Sequence, residues 1–183
     1  MARGYYRRRY TNRYYGGYKK KNWSSNIITS QTTITFPASS TYGAGSALCL
    51  NPSQSVSTVS QPFTVKNVKL SVSCVATETA VSNALDNVIV AIVYVPQGYT
   101  VTYNTLSEHP EWFMAVKYLD NPTIEQQSSN NGSQYKPFTV STRLARKLQT
   151  GDSVQLCVFG TNTDTTVSTV SVRFMAQWWT CAN

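Results

Sequence analysis

Acidic residues are scarce in this chain, and over its first stretch they are missing altogether. Eight Asp and Glu stand among 183 residues, charged residues of both signs make up only 13%, and residues 1–23 hold no acid. Histidine occurs once, at His109, and no G-x-S-x-G elbow accompanies it, so a Ser-His-Asp hydrolase pattern cannot be assembled. The segment Glu108-His109-Pro110-Glu111 offers one imidazole and two carboxylates with no third fixed partner, and reads as loop structure. Cys49, Cys74, Cys157 and Cys181 form no C-x-x-C pair, which argues against zinc. Tyr42-Gly43-Ala44-Gly45 lacks the G-K-[ST] that a nucleotide phosphate loop needs. The longest apolar run, Val88 to Val95, is far too short to cross a bilayer as a helix, so no membrane partner is expected. The polar residues from position 2 onward carry no secretory pattern, which predicts reduced thiols in a cytosolic or nuclear setting. Neither an enzyme nor a metal or cofactor is expected.

What the chain does have is β-branched and aromatic residues in alternation, interrupted by Gly, Pro and Ser. Ile27 to Phe36 is one such run and stops at Pro37; a loop is predicted from there to about Gln61. Between Phe63 and Val75, Val68, Leu70, Val72 and Cys74 share one face while Phe63 and Val65 fall on the opposite phase, predicting a bulge near Lys66 and Asn67. Val88 to Val95 is apolar on both faces, as a central strand covered on two sides would be, and ends at the turn signal Pro96-Gln97-Gly98. Trp112, Met114, Val116 and Tyr118 alternate, residues 121–132 are polar loop, and Tyr135 to Val140 reads as a short strand. Ser141 to Thr150 predicts the one helical turn, from Leu144 and Leu148 at i,i+4 and a Ser141 or Thr142 cap. In the final run Val170, Val172, Phe174, Ala176 and Trp178 face one way, and Ser171, Arg173, Met175, Gln177 and Trp179 the other. Of the two tryptophans, Trp178 and Trp179, one is expected in the core and the other at an interface. Seven or eight strands with almost no helix predict an all-β sandwich or barrel, of which the eight-stranded jelly roll is one member.

The scarce charge is also unevenly placed. Arg3, Arg7, Arg8, Arg9, Arg13, Lys19, Lys20 and Lys21 equal the whole formal net charge of +8, and the remaining 160 residues sum to zero. Tyr5, Tyr6, Tyr10, Tyr14, Tyr15 and Tyr18, half of the twelve tyrosines, are interleaved with them. Dense like charge without aliphatic periodicity predicts a disordered arm over residues 1–24 and a folded domain over 25–183. Guanidinium groups grip phosphates as forks, and tyrosine faces accept unpaired bases. The arm therefore predicts single-stranded nucleic acid as partner. Eight phosphate contacts on a single strand give a log–log salt slope of about −5.6. Arg7–Arg9 and Lys19–Lys21 also form a bipartite basic pair suited to host import machinery. Lys136, Arg143, Arg146 and Lys147 are a possible secondary basic patch in the body, or else a solvated face.

An Arg/Tyr-rich terminus followed by a β-only body, with the run Arg143-Leu144-Ala145-Arg146-Lys147-Leu148-Gln149-Thr150-Gly151-Asp152-Ser153-Val154 leading into a late strand, resembles the capsid proteins of small circular single-stranded DNA viruses of the circovirus-like group. The resemblance implies a jelly-roll capsid domain, a homo-oligomeric icosahedral shell of about sixty copies, arms directed inward onto a genome of single-stranded DNA in preference to RNA, and residence in the virion and, during assembly, the host nucleus. Small RNA-virus and satellite coats share this layout. A single-strand-binding β-barrel is the competing class; such a module should carry basic and aromatic residues on a sheet face, whereas the sequence confines that mixture to its tail.

Overall fold

The computed structural model describes residues 21–52, 61–77, 85–119, 132–134 and 136–182. Ten strand segments lie among them: β1 (Ser24–Phe36), β2 (Ser40–Leu50), β3 (Phe63–Thr77), β4 (Leu85–Val95), β5 (Phe113–Tyr118), β6 (Gly132–Gln134), β7 (Phe138–Ser141), β8 (Arg146–Leu148), β9 (Ser153–Asn162) and β10 (Ser168–Ala182). They form two antiparallel sheets. One is six-stranded, in the order β1-β10-β3, with β6, β7 and β8 each pairing with β3; the other is four-stranded, β2-β9-β4-β5. The three short segments line one side of β3 in turn, opposite Val75–Thr77, Lys69–Val72 and Phe63–Val65 respectively.

The sheets face each other through the alternating apolar residues that strand periodicity puts on one side. Val65, Val68, Leu70, Val72 and Cys74 of β3 and Val170, Val172, Phe174, Ala176 and Trp178 of β10 meet Val88, Val90 and Ile92 of β4 and Val154, Leu156 and Val158 of β9 in one core. The expected bulge is present. Gln177 pairs with Lys69 and Trp179 with Lys66, so β3 spends one extra residue there, and Asn67 adopts φ +51°. That insertion keeps both Val65 and Val68 inward and leaves Lys66 and Asn67 outside. β4 is central and covered on both sides, as its run of apolar residues predicts.

The outer side of the four-stranded sheet is capped by the chain between β4 and β5. A turn at Pro96–Tyr99, where Gly98 has φ +83°, leads into a single helical turn, α1 (Thr105–Glu108), and a 3-10 turn at Pro110–Trp112. Val101 and Trp112 from this cap pack on Ala91, Val93, Val95, Cys157 and Phe159. Neither turn is signalled by a long apolar period, so the sequence reading missed them. His109 stacks on Trp112 with ring centroids 3.8 Å apart and holds Glu111 at 3.2 Å; among the described residues no group of three His, Cys, Asp or Glu could bind a metal.

Two sequence expectations are overturned. The segment after Pro37 is not all loop, because β2 pairs with β9 from Ser40↔Asn162 to Leu50↔Ser153. Its glycines conceal the strand: a methyl at Gly43 would overlap the Phe159 ring and sit 3.0 Å from the Tyr103 amide nitrogen. The Ser141–Thr150 segment is extended rather than helical. Thr142 uses its Oγ1 to accept the Leu144 N–H at 3.1 Å and donates its own N–H to the Val68 carbonyl. Leu144 is left exposed while Leu148, opposite Phe63, is fully buried. Burial of one leucine on a sheet edge outweighs a marginal i,i+4 pair. Farther along, Val116 and Tyr118 are 51% and 52% exposed, so the inward alternation of β5 ends at Met114.

The one buried carboxylate among the described residues is fully tied off. The Asp152 carboxylate, 4% exposed, accepts the Tyr94 hydroxyl (2.8 Å) and the backbone N–H of Gln97 (3.0 Å) and Gln149 (2.8 Å). All four cysteines are free. Burial pushes the Cys49 thiol up to about 11 and Cys74 up to about 12, and it also raises Cys157. Burial and the adjacent Asp152 push Tyr94 up to about 12.

Two outcomes follow for stability. Leu156→Ala empties the centre of the core and is expected to cost about 2–5 kcal/mol in denaturant unfolding. Raised thiol and phenol pKa values favour the protonated, folded form. Their contribution is intact below the unfolded values of 9.0 and 10.0 and declines as pH rises from there toward about 12. Unfolding midpoints should therefore fall steeply across that alkaline window, and Cys74→Ala should flatten the fall.

Candidate nucleic-acid interface

Of the expected arm residues, Arg3, Tyr5, Tyr6, Arg7, Arg8, Arg9, Tyr10, Arg13, Tyr14, Tyr15, Tyr18, Lys19 and Lys20 lie outside the described residues. Lys21 is described and exposed, two positions before Trp23, where the chain joins the body. The Lys66 ammonium sits 3.6 Å from the Trp23 ring centroid. This cation–π contact places the arm's exit on the outer side of the six-stranded sheet, beside the β3 bulge.

That outer side has a property not evident from the summed charge of the body. The strands β1, β3, β6, β7, β8 and β10 contain Lys66, Lys69, Arg146, Lys147 and Arg173 and no Asp or Glu. Lys136 and Arg143 flank β7 and are exposed. The described acids lie elsewhere: Asp86 in β4, Glu108 and Glu111 in the cap, and Asp152 and Asp164 at the two ends of β9. Lys117 in β5 is the single described base of the four-stranded sheet. Among the described residues, the bases of the body thus lie mostly on one sheet and the acids on the other sheet, its ends and its cap.

The register sets these groups in rows. Trp179 opposes Ser25 and Lys66; Gln177 opposes Ile27 and Lys69, which continues to Ser141; Met175 opposes Thr29 and Ser71, which continues to Thr139; Arg173 opposes Gln31 and Ser73. The Arg173 Nε donates to Gln31 Oε1 at 3.1 Å. A trough of about 670 Å³ runs over the last two rows, with Arg173, Met175, Gln31 and Pro137 on its walls. Hydroxyls, an arginine fork and a thioether in an open trough suit a flexible anionic strand.

The secondary patch divides. Lys136, Arg143 and Lys147 are exposed on or beside this sheet. Arg146 instead turns toward the four-stranded sheet: its Nη2 donates to the Glu111 carbonyl, and its guanidinium carbon lies 5.6 Å from the Tyr94 ring centroid. It joins the edge at β8 to the cap. The carboxyl of Glu111 is held below its usual range, first by its own backbone N–H and then by His109 and Arg146. Sequence reasoning did not single out Lys66, Lys69, Arg173, Trp23 and Trp179 as a surface. The usable signal was the outward phase of β3 and β10, where bases occur and acids do not.

No protein-family model matches this chain, and no curated protein matches it. Among solved structures it is similar to the decameric BFDV capsid protein, at 9% identity and a TM-score of 0.33, covering 88% of this chain and 100% of that one.

Replacing Lys66, Lys69 and Arg173 together by Gln is expected to make the log–log salt slope for a single-stranded oligonucleotide shallower by about 2, at about 0.7 per lost phosphate contact. Lys117→Gln, on the opposite sheet, should leave the slope unchanged. Fluorescence anisotropy titrations at several salt concentrations measure both.

Proposed function

We propose that this chain is the coat protein of a small single-stranded DNA virus, self-assembling into a closed icosahedral shell and packaging its genome through residues 1–24. The observation that carries this reading is the partition of charge: eight bases and no acid in the first 23 residues, joined at Trp23 to a sheet whose described strands hold no acid. Cations facing the cargo neutralise phosphate, while the rest of the body stays close to neutral so that like subunits can approach. Counting β6, β7 and β8 as one interrupted edge strand makes eight strands, four to a sheet. β1, β3, the interrupted edge and β10 then face β2, β4, β5 and β9, an order that supports the jelly-roll reading. Exposed Val116 and Tyr118 on the outermost strand of the four-stranded sheet, with exposed Leu50 and Tyr99, suit lateral contacts between copies. The arm's bipartite basic pair fits import into the host nucleus, and the chain would end in the virion. No catalytic role forms part of this reading.

A second reading, a single-strand-binding β protein that does not form shells, draws support from the basic and aromatic residues on the six-stranded sheet. The two part on assembly and on cargo. With the eight arm bases replaced by Gln, the coat reading expects shells in negative-stain micrographs with a lowered 260/280 absorbance ratio. An unchanged ratio overturns the arm's assignment. Intact protein that stays monomeric at high concentration overturns the shell and leaves the second reading.

A further inference from the structure

The β3 bulge does more than correct the phase of a strand. By inserting a residue at Asn67 it places Lys66 and Asn67 on the outer side in succession, where strict alternation would place one. Beside them the chain leaving β7 folds back. The Thr142 N–H donates to the Val68 carbonyl at 2.9 Å, the Thr142 hydroxyl accepts from Leu144 at 3.1 Å, and Ser141 pairs with Lys69. These bonds hold one wall of a notch of about 500 Å³ lined by Asn67, Lys69, Ser141, Thr142, Arg143 and Trp179, with Val68 at its base.

The chemistry of that notch is specific. Lys69 and Arg143 are exposed, and neither is in an ion pair among the described residues, where His109–Glu111 is the one pair found. Two cations lining one notch without an ion-pair partner complement a phosphate. Across β3 from that segment, Trp179 on β10 is partly exposed and lines the notch, and the Asn67 amide carries both donors and an acceptor. The volume lies in the range of small-ligand sites and is large enough for a single nucleotide. Lys69 and Arg173 are four residues apart along the sheet, about 13 Å, so a strand seated here continues into the Arg173 trough.

We propose that this notch captures one nucleotide of a single strand, its phosphate between Lys69 and Arg143 and its base against Trp179. This rests on the nucleic-acid-binding reading and adds to it a fixed docking point on the folded body, separate from the arm. Such a point sets the position of the bound strand relative to the shell, which charge attraction by an arm alone does not do.

The test uses the full chain and a thymidine-rich oligonucleotide carrying 5-iododeoxyuridine, irradiated in dilute buffer and mapped by peptide mass spectrometry. The expected result is cross-linking at Trp179 alongside the arm tyrosines. In Lys69→Gln/Arg143→Gln protein the Trp179 cross-link should fall about tenfold while the arm cross-links persist. Cross-links on the arm with none at Trp179 in the unaltered protein overturn the notch and leave nucleic-acid binding standing. No cross-link at any residue, together with no anisotropy change, overturns nucleic-acid binding itself.

Discussion

The facing surfaces of the two sheets are apolar, and this decides where the described charges of the body lie. A charge left unpaired between them would cost several kcal/mol, a large fraction of the fold's net stability. Lysines and arginines are therefore confined to outward phases, edges and turns. Asp152 is the exception that obeys the same rule, since its carboxylate is buried only with three donors aimed at it. Once the inward phase of β3 and β10 is fixed by Val65, Val68 and Leu70 against Val172, Phe174 and Ala176, the opposite phase must present Lys66, Lys69, Arg173 and Trp179 together.

How much of this was legible depended on whether a signal was local. The phase of β10, the centrality of β4 and the bulge at Asn67 could be read because each is a pattern of side chains along one strand. β2 could not, since Gly43 and Gly45 are there to admit Phe159, Gln155 and Cys157 from a neighbour, and glycine in isolation looks like loop. The helix expected at 141–150 failed for a related reason: Leu148 is claimed by the interior and Thr142 by a turn, both long-range outcomes. The polarisation of the body was hidden in a different way. Adding charges along residues 24–183 gives zero, and only sorting the described ones by strand and by face reveals two unlike sides.

That sorting alters the comparison between a packaging coat and a free-standing single-strand binder. Basic and aromatic residues are not restricted to the terminal segment, so their location does not separate the two classes. What distinguishes them is the remainder of the surface: a cap and a second sheet that hold most of the described acids, and apolar side chains displayed along β5. Those features have no evident use in a solitary binding module and a clear one where many copies meet.

The Trp23–Lys66 contact has a geometric consequence. It fixes the point from which the preceding segment departs, and the twenty residues before Lys21 can span no more than about 70 Å even at full extension. Whatever polymer they gather must therefore lie within that radius of the same patch of protein. On the proposed coat reading, the cargo these twenty residues condense is held as a layer beneath that patch.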